Sequence, residues 1–251
     1  VKKWLQGETA LVSGGSRGIG AAIALELASN GADVAINYLE RSVEAERVAK
    51  ACQREGVSAK AYPADVGNRQ EVNAMLTQVE KEFGEVSLLI HSAGVTGKSL
   101  LFQDVVDEEM DLLFNTHVRG AMHLVQGGMP GMIRRQQGRI ILISSIWGEA
   151  GGAGEVLYSA AKGAMNGLTR ALAKELAPSG ITVNAIAPGA IETDMLLDQL
   201  SKEEIEELTE SIPIGRVGKP AEVAHLVAHV CRKESAYLTG QILHVNGGWY
   251  P

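Results

Sequence analysis

Along nearly the whole chain, short apolar runs alternate with longer segments whose apolar residues recur every three or four positions. The short runs read as buried strands and the longer segments as amphipathic helices. Residues 8–13 (ETALVS) predict a first strand, which enters GGSRGIG and then a helix that Gly31 closes. Strands are expected at 32–38, 57–63 and 86–91, with helices at 42–55 and 68–83, the second capped by Asn68. A long helical region is expected over about 107–135, then a β-branched strand at 140–143 and a helix at 156–177. A strand at 181–187, a helix at 220–232 and a last strand at 241–245 complete the pattern. Such alternation implies right-handed crossovers and a parallel sheet buried on both faces. The expected fold class is α/β: one doubly wound domain over residues 1–251, with a parallel seven-stranded sheet and helices on both faces.

Chemistry enters at the fifth strand and the helix after it. RIILISSIWG would leave Ser144 and Ser145 at a strand tip, and Tyr158 and Lys162 stand four apart, on one face of the following helix. A phenol ordinarily titrates near about 10. An ammonium one turn away favours the phenolate and would bring Tyr158 nearer the range where it can give or take a proton. Ser145 can hydrogen-bond the same substrate oxygen. The three suit protonation of a carbonyl oxygen while hydride arrives at its carbon.

The first crossover carries the complementary signal. Gly14, Gly18 and Gly20 lie between a strand and a helix, where glycine permits a tight turn and close approach to a pyrophosphate at the helix N-terminus. After the second strand the chain reads NYLERS, so Tyr38 and Leu39 are followed by Glu40, Arg41 and Ser42, while Arg17 sits in the glycine loop. Two guanidinium groups and a hydroxyl suit a 2′-phosphate, and Glu40 is the counter-signal for a bare ribose. NADP(H) is expected over NAD(H). Residues 1–140 then form a cofactor half and 140–251 a catalytic and substrate half, with the acidic stretch 192–210 as a lid.

Composition narrows the classes. The chain is 45% hydrophobic but only 4% aromatic, with 29 glycines, which implies a closely packed aliphatic core. A net charge of −7 argues against nucleic acid and against an acidic membrane surface as partners. With no signal-peptide pattern and no apolar run of about 18 residues, a soluble cytoplasmic protein is expected. Cys52 and Cys231 read as buried, inert thiols. His225 and His229 are four apart but lack the glutamate of a metalloprotease motif and a third ligand, so no metal is expected. Glu203, Glu204, Glu206 and Glu207 read as the wet face of a helix.

These motifs together resemble the short-chain dehydrogenase/reductase family over essentially the whole length, a Rossmann-fold family. SGGSRGIG carries Ser13 where that family usually has Thr, HSAG at 91–94 stands for its NNAG, and PGAIET at 188–193 matches the segment that covers the nicotinamide. The chain is most similar to 3-oxoacyl-[acyl-carrier-protein] reductases, through stretches such as ITVNAIAPGAIETDM and YLTGQILHVNGGWY. The resemblance implies a catalytic set of Asn115, Ser145, Tyr158 and Lys162. In that set Tyr158 is the general acid, Lys162 also holds the nicotinamide ribose, and Asn115 anchors a water linking Lys162 to solvent. It implies cofactor contacts from Gly14, Ser16, Arg17, Gly18, Ile19, Gly20, Tyr38, Arg41, Ser42, Asp65 and Val66. Further contacts would come from Ser92, Ala93, Gly94, Pro188, Gly189, Ile191 and Thr193. Ile146, Trp147 and Val156 would line the substrate mouth with Ser145 and Tyr158. Ser179 stands where carrier-protein reductases often have a basic residue, and Arg134, Arg135 and Arg139 are the substitute patch. The expected activity is NADPH-dependent reduction of a 3-oxoacyl thioester, with acyl carrier protein as a partner, in a homotetramer. Reductases of small ketones, sugars or polyketides, and a non-catalytic cofactor-binding regulator, remain the alternative readings.

Overall fold

The computed structural model describes residues 3–98, 100–198 and 200–250. Seven strands, β1 (Thr9–Ser13), β2 (Asp33–Tyr38), β3 (Ala59–Pro63), β4 (Leu88–His91), β5 (Gly138–Ile143), β6 (Ile181–Pro188) and β7 (Ile242–Val245), form one sheet. Their order is β3-β2-β1-β4-β5-β6-β7, and every pairing is parallel. The helices are α1 (Gly18–Ser29), α2 (Ser42–Arg54), α3 (Arg69–Phe83), α4 (Asp107–Phe114) and α5 (Gly120–Arg135). They continue with α6 (Trp147–Ala150), α7 (Val156–Leu176), α8 (Asp194–Leu197), α9 (Lys202–Ser211) and α10 (Pro220–Val230).

Strand residues alternate between the two faces. Val12, Ile36, Ile90 and Ile141 pack with Ile23 and Leu27 of α1, Ala45 of α2 and Val227 of α10. Their neighbours Leu11, Ala35, Leu89 and Ile140 pack with Val72 of α3, Leu124 of α5 and Met165 of α7. Among the described residues, no helix is long and apolar enough to cross a membrane. Asn68 caps α3 as its sequence position implies, accepting from the amides of Gln70 and Glu71 at 3.0 and 3.4 Å.

One departure from the sequence pattern matters for function. The helical region over 107–135 is not one helix: a π-helical turn, Asn115–Arg119, separates α4 from α5. The helix expected at 203–207 is α9, opened by a reciprocal cap between Ser201 and Glu204.

The strand order reverses between β1 and β4, and crevices at such reversals receive ligands. The loops leaving these two strands are tied by one polar network. The amides of Ser92 and Ala93 donate to the Ser13 hydroxyl oxygen at 3.1 and 3.2 Å, and that hydroxyl lies 2.9 Å from His91 Nδ1. His91 Nε2 is 3.1 Å from the carbonyl of His117. A carbonyl only accepts, so Nε2 carries the proton and Nδ1 accepts from Ser13. Ser13 and His91, both unusual for the family, thus satisfy one another.

Burial first, and the Lys162 charge second, hold the His91 imidazole down to about 3. The native ring is neutral, whereas an unfolded imidazole takes up a proton below about 6.5. Between those values the unfolded chain binds more protons, so this contribution is complete above about pH 6.5 and is lost as pH falls toward 3. The loss is on the order of 5 kcal/mol. Denaturant unfolding across this window should show a flatter pH slope for His91→Asn than for the parent; equal slopes would rule out His91 as its source.

Candidate active site

The sheet's β5 ends in two serines with different tasks. Ser144 is buried and donates to Asn166 Oδ1 at 2.7 Å, which ties the strand to α7. Ser145 is buried as well, its hydroxyl oxygen accepting from the Trp147 amide at 3.2 Å. Asn166 also donates to the Gly148 carbonyl at 3.3 Å and so holds α6 against α7. Nothing in the local sequence around Asn166 announces this role.

One turn apart on α7, Tyr158 and Lys162 share a face, with Lys162 Nζ 5.3 Å from the Tyr158 ring centroid. Lys162 is buried and donates to the Ile143 carbonyl at 2.8 Å. Their proton affinities correct the sequence expectation. Burial pushes the Tyr158 phenol up to about 12, only partly offset by a hydrogen bond from Ser145 and reinforced by the Glu155 carboxylate. Burial likewise pulls Lys162 down to about 7. Desolvation outweighs the attraction between the two groups, so Tyr158 is a firmly protonated acid and Lys162 the group that titrates near neutrality.

Asn115 does not take the place expected for it. Its Oδ1 accepts from Arg119 at 2.8 Å, and its Cβ lies toward Gly67, beside the loop that holds Asp65. The π-helical turn directs a different side chain inward: His117 is buried, with its ring edge-to-face with Tyr158 at 5.5 Å between centroids and 87° between planes.

The glycine loop fits a nucleotide. Gly14 has φ of +63°, and a Cβ there would lie 2.6 Å from the Ala93 Cα; at Gly20 it would lie 2.3 Å from the Gly14 carbonyl oxygen. No side chain caps α1, whose N-cap is Arg17, so its first amides remain for an anion. Ser16, Gly18 and Ile19 line the same turn, and Val66, Ser92, Ala93 and Gly94 belong to the adjoining loops. Asp65 Oδ1 accepts from the Gly67 amide at 2.8 Å, so the loop uses one of its oxygens. At the end of β2, Tyr38 is half-buried, and Arg41 and Ser42 are exposed where α2 begins. Arg17 is engaged with Asp194 of α8 at 3.4 Å. Pro188 ends β6, Gly189 and Ile191 follow, and the Thr193 side chain reaches Gly18, 3.4 Å from where a Cβ would stand.

Beside Tyr158 lies an open cleft lined in part by Thr96, Glu109, Leu113, Glu155 and Val156. Glu109 lies 3.9 Å from Lys98. Burial raises the Glu155 carboxyl above the usual carboxylate range. Val156 lines the cleft and is exposed, but Ile146 does not line it: it is 2% exposed, with its amide bonded to the Pro188 carbonyl at 3.1 Å. The turn into α6 points Ile146 into the protein. Trp147 instead meets Trp249 edge-to-face at 5.3 Å, a contact with the C-terminal stretch that no local pattern signals.

The basic patch considered for a carrier protein is largely spent. Arg134 reaches Glu85 at 2.5 Å, Arg135 donates to the carbonyls of Glu85 and Val86, and Arg139 is buried in β5. His225 Nδ1 faces Glu26 at 3.2 Å, across the α1–α10 contact. Cys52 and Cys231 are buried, and burial pushes both thiols up to about 12.

Comparisons with known proteins agree with this geometry. The family described as enoyl-(acyl carrier protein) reductase matches residues 14–250. The 3-oxoacyl-[acyl-carrier-protein] reductase FabG of Staphylococcus aureus (strain Mu50) is 41% identical over 243 residues, covering 97% of this chain and 98% of that protein. The FabG of Pseudomonas aeruginosa is 40% identical over 246 residues, 98% of each chain. A double mutant of a Serratia marcescens short-chain dehydrogenase/reductase superposes with a TM-score of 0.91 at 34% identity, covering 98% of this chain and 99% of the other. The chain belongs to the short-chain dehydrogenase/reductase family of NAD(P)-dependent oxidoreductases.

Proposed function

We propose that this enzyme reduces the ketone of a 3-oxoacyl thioester with NADPH, through Ser145, Tyr158 and Lys162. The observation that carries the reading is the convergence of a buried lysine, a protonated phenol and a serine hydroxyl bonded to that phenol, in a fold whose first crossover is shaped for a nucleotide. When bound, the nicotinamide supplies the hydride. Ser145 orients the carbonyl oxygen, Tyr158 protonates it, and the Lys162 ammonium offsets the charge left on the phenolate. Gly14, Gly20 and the α1 N-terminus would hold the pyrophosphate, and Lys162 the ribose. The stretch 192–210, joined to the glycine loop through Arg17 and Asp194, would act as the lid. The exposed Leu112, Phe114 and Met122 on the α4–α5 surface support a homotetramer in which that surface is paired.

One observation favours a second reading, a reductase of small ketones by the same chemistry: the pairing of Arg134 and Arg135 and the burial of Arg139 leave little charge there for an acidic carrier. NADPH consumption with acetoacetyl thioesters, a 2-enoyl thioester and simple ketones separates the possibilities. The 3-oxo thioesters should turn over and the enoyl thioester should not; turnover of simple ketones alone would overturn the thioester assignment.

Tyr158→Phe removes only the hydroxyl and should leave cofactor affinity intact. Turnover should fall at least roughly 10²-fold, the lower bound for positioned proton donation. Retention of more than about a tenth of the activity would place the acid elsewhere.

Cofactor choice rests on Arg41, since Arg17 is shared with Asp194. Arg41→Ala should weaken NADPH by about tenfold or more, as loss of one charge-assisted contact implies, while changing NADH little. Equal losses for both cofactors would show that Arg41 does not read the 2′-phosphate.

A further inference from the structure

His117 lies behind the catalytic pair and nothing above gives it work. Its Nε2 is 2.7 Å from the Val95 carbonyl oxygen and 3.3 Å from the Val95 amide nitrogen; the much shorter contact is to a group that can only accept, so Nε2 carries the proton. The other nitrogen, Nδ1, is therefore a bare lone pair; it is fully buried, and no described protein group donates to it. The ring is admitted by Gly94, where a Cβ would fall 2.6 Å from Cε1 and 3.3 Å from Nδ1. An unpaired buried acceptor costs stability, commonly by about 1–3 kcal/mol. Lys162 shares the Tyr158 ring as a neighbour, 5.3 Å from its centroid against 5.5 Å for His117, and its charge acts on His117. It has donors to spare: the ammonium has three N–H bonds, and one is used on the Ile143 carbonyl.

We infer that His117 is a positioning residue for Lys162: its Nδ1 accepts an N–H of the Lys162 ammonium across one water molecule, and so sustains the charge on which Tyr158 depends. The inference rests on the proposed role of Tyr158 and Lys162 and adds a residue to it. The titratable groups facing His117 are Lys162 and Tyr158 from α7 and His91 from β4. His91 donates to the His117 carbonyl and carries no charge at neutral pH. Burial, with the Lys162 charge next, holds the His117 imidazole well below its ordinary value, so the ring works as a neutral acceptor and not as a proton carrier.

The two nitrogens can be told apart by substitution. Asparagine places an amide oxygen where Nδ1 stands and abandons Val95, whereas glutamine can reach Val95 and leaves the Nδ1 position empty of an acceptor. The sign follows from Lys162: an acceptor favours the ammonium, so its removal lowers the lysine pKa and shifts the alkaline loss of reductase activity to lower pH. His117→Leu and His117→Gln should lose at least about tenfold in kcat, with the cofactor KM little changed and the alkaline limb moved down by about one pH unit. His117→Asn should keep the parental limb and most of the turnover. The Lys162 titration, followed by NMR in protein carrying labelled lysine, gives the same ordering without turnover. It therefore separates a failure of this inference from a failure of the proposed reaction. If His117→Leu does not fold, the Asn and Gln variants decide. Rescue by Gln and not by Asn, parental behaviour in all three, or equal impairment with an unmoved Lys162 titration would each overturn the inference.

Discussion

Keeping an amine in the interior is the constraint on which the catalytic half depends. Lys162 is a buried cation site whose proton affinity has dropped to about 7 because water is absent around it. Holding it charged in the fold therefore costs on the order of 5 kcal/mol. The surrounding structure offsets that cost and fixes the amine in one place. The Ile143 carbonyl takes one N–H, Ser144 and Asn166 lock the strand end to the helix, and Gly148 brings α6 against the Lys162 backbone. Because the folded affinity lies below the unfolded one, the cost fades as pH rises from about 7 toward the ordinary lysine value.

Around Lys162 the site collects two further bases, His91 and His117, and holds both uncharged. Each is disfavoured as a cation first by burial and then by the lysine. Of the three bases, Lys162 is therefore the one that takes up or releases a proton near neutral pH. The Ser13–His91 bond gives this arrangement a second use, since it couples the loop that would cradle a pyrophosphate to the strand beneath the lysine.

Much of this was legible along the chain. Apolar periodicity located all seven strands and the main helices, because burial on both faces of a parallel sheet leaves a strong pattern. Asn68, Gly14 and Gly20 were legible because caps and close approaches demand particular residue types. Tyr158 and Lys162 were legible because a spacing of four holds one face through any regular helix, and Ser145 because a β-branched run ends beside it. Three kinds of information were not. The bond between Ser13 and His91 spans 78 positions. The balance of proton affinities depends on desolvation, which a helical spacing does not express, so the expected lowering of the Tyr158 value gave way to a rise. The choice between Asn115 and His117 depended on local phase, and phase is what the π-helical turn alters.

That turn has a consequence for how the helix can change. A π-helical turn holds one residue more than an α-helix of the same span, and each residue of an α-helix is about 100° of rotation. Deleting one residue there would mend the hydrogen-bond ladder, the least disruptive deletion the helix offers. Because the turn absorbs its extra residue within that span, α4 and α5 would keep close to their present phase, Leu113 would stay buried beside the cleft, and only the side chains of the turn itself, His117 among them, would be re-aimed. The surplus residue thus aims one turn's side chains independently of its flanks, while one continuous helix serves the sheet with its second half and the cleft with its first.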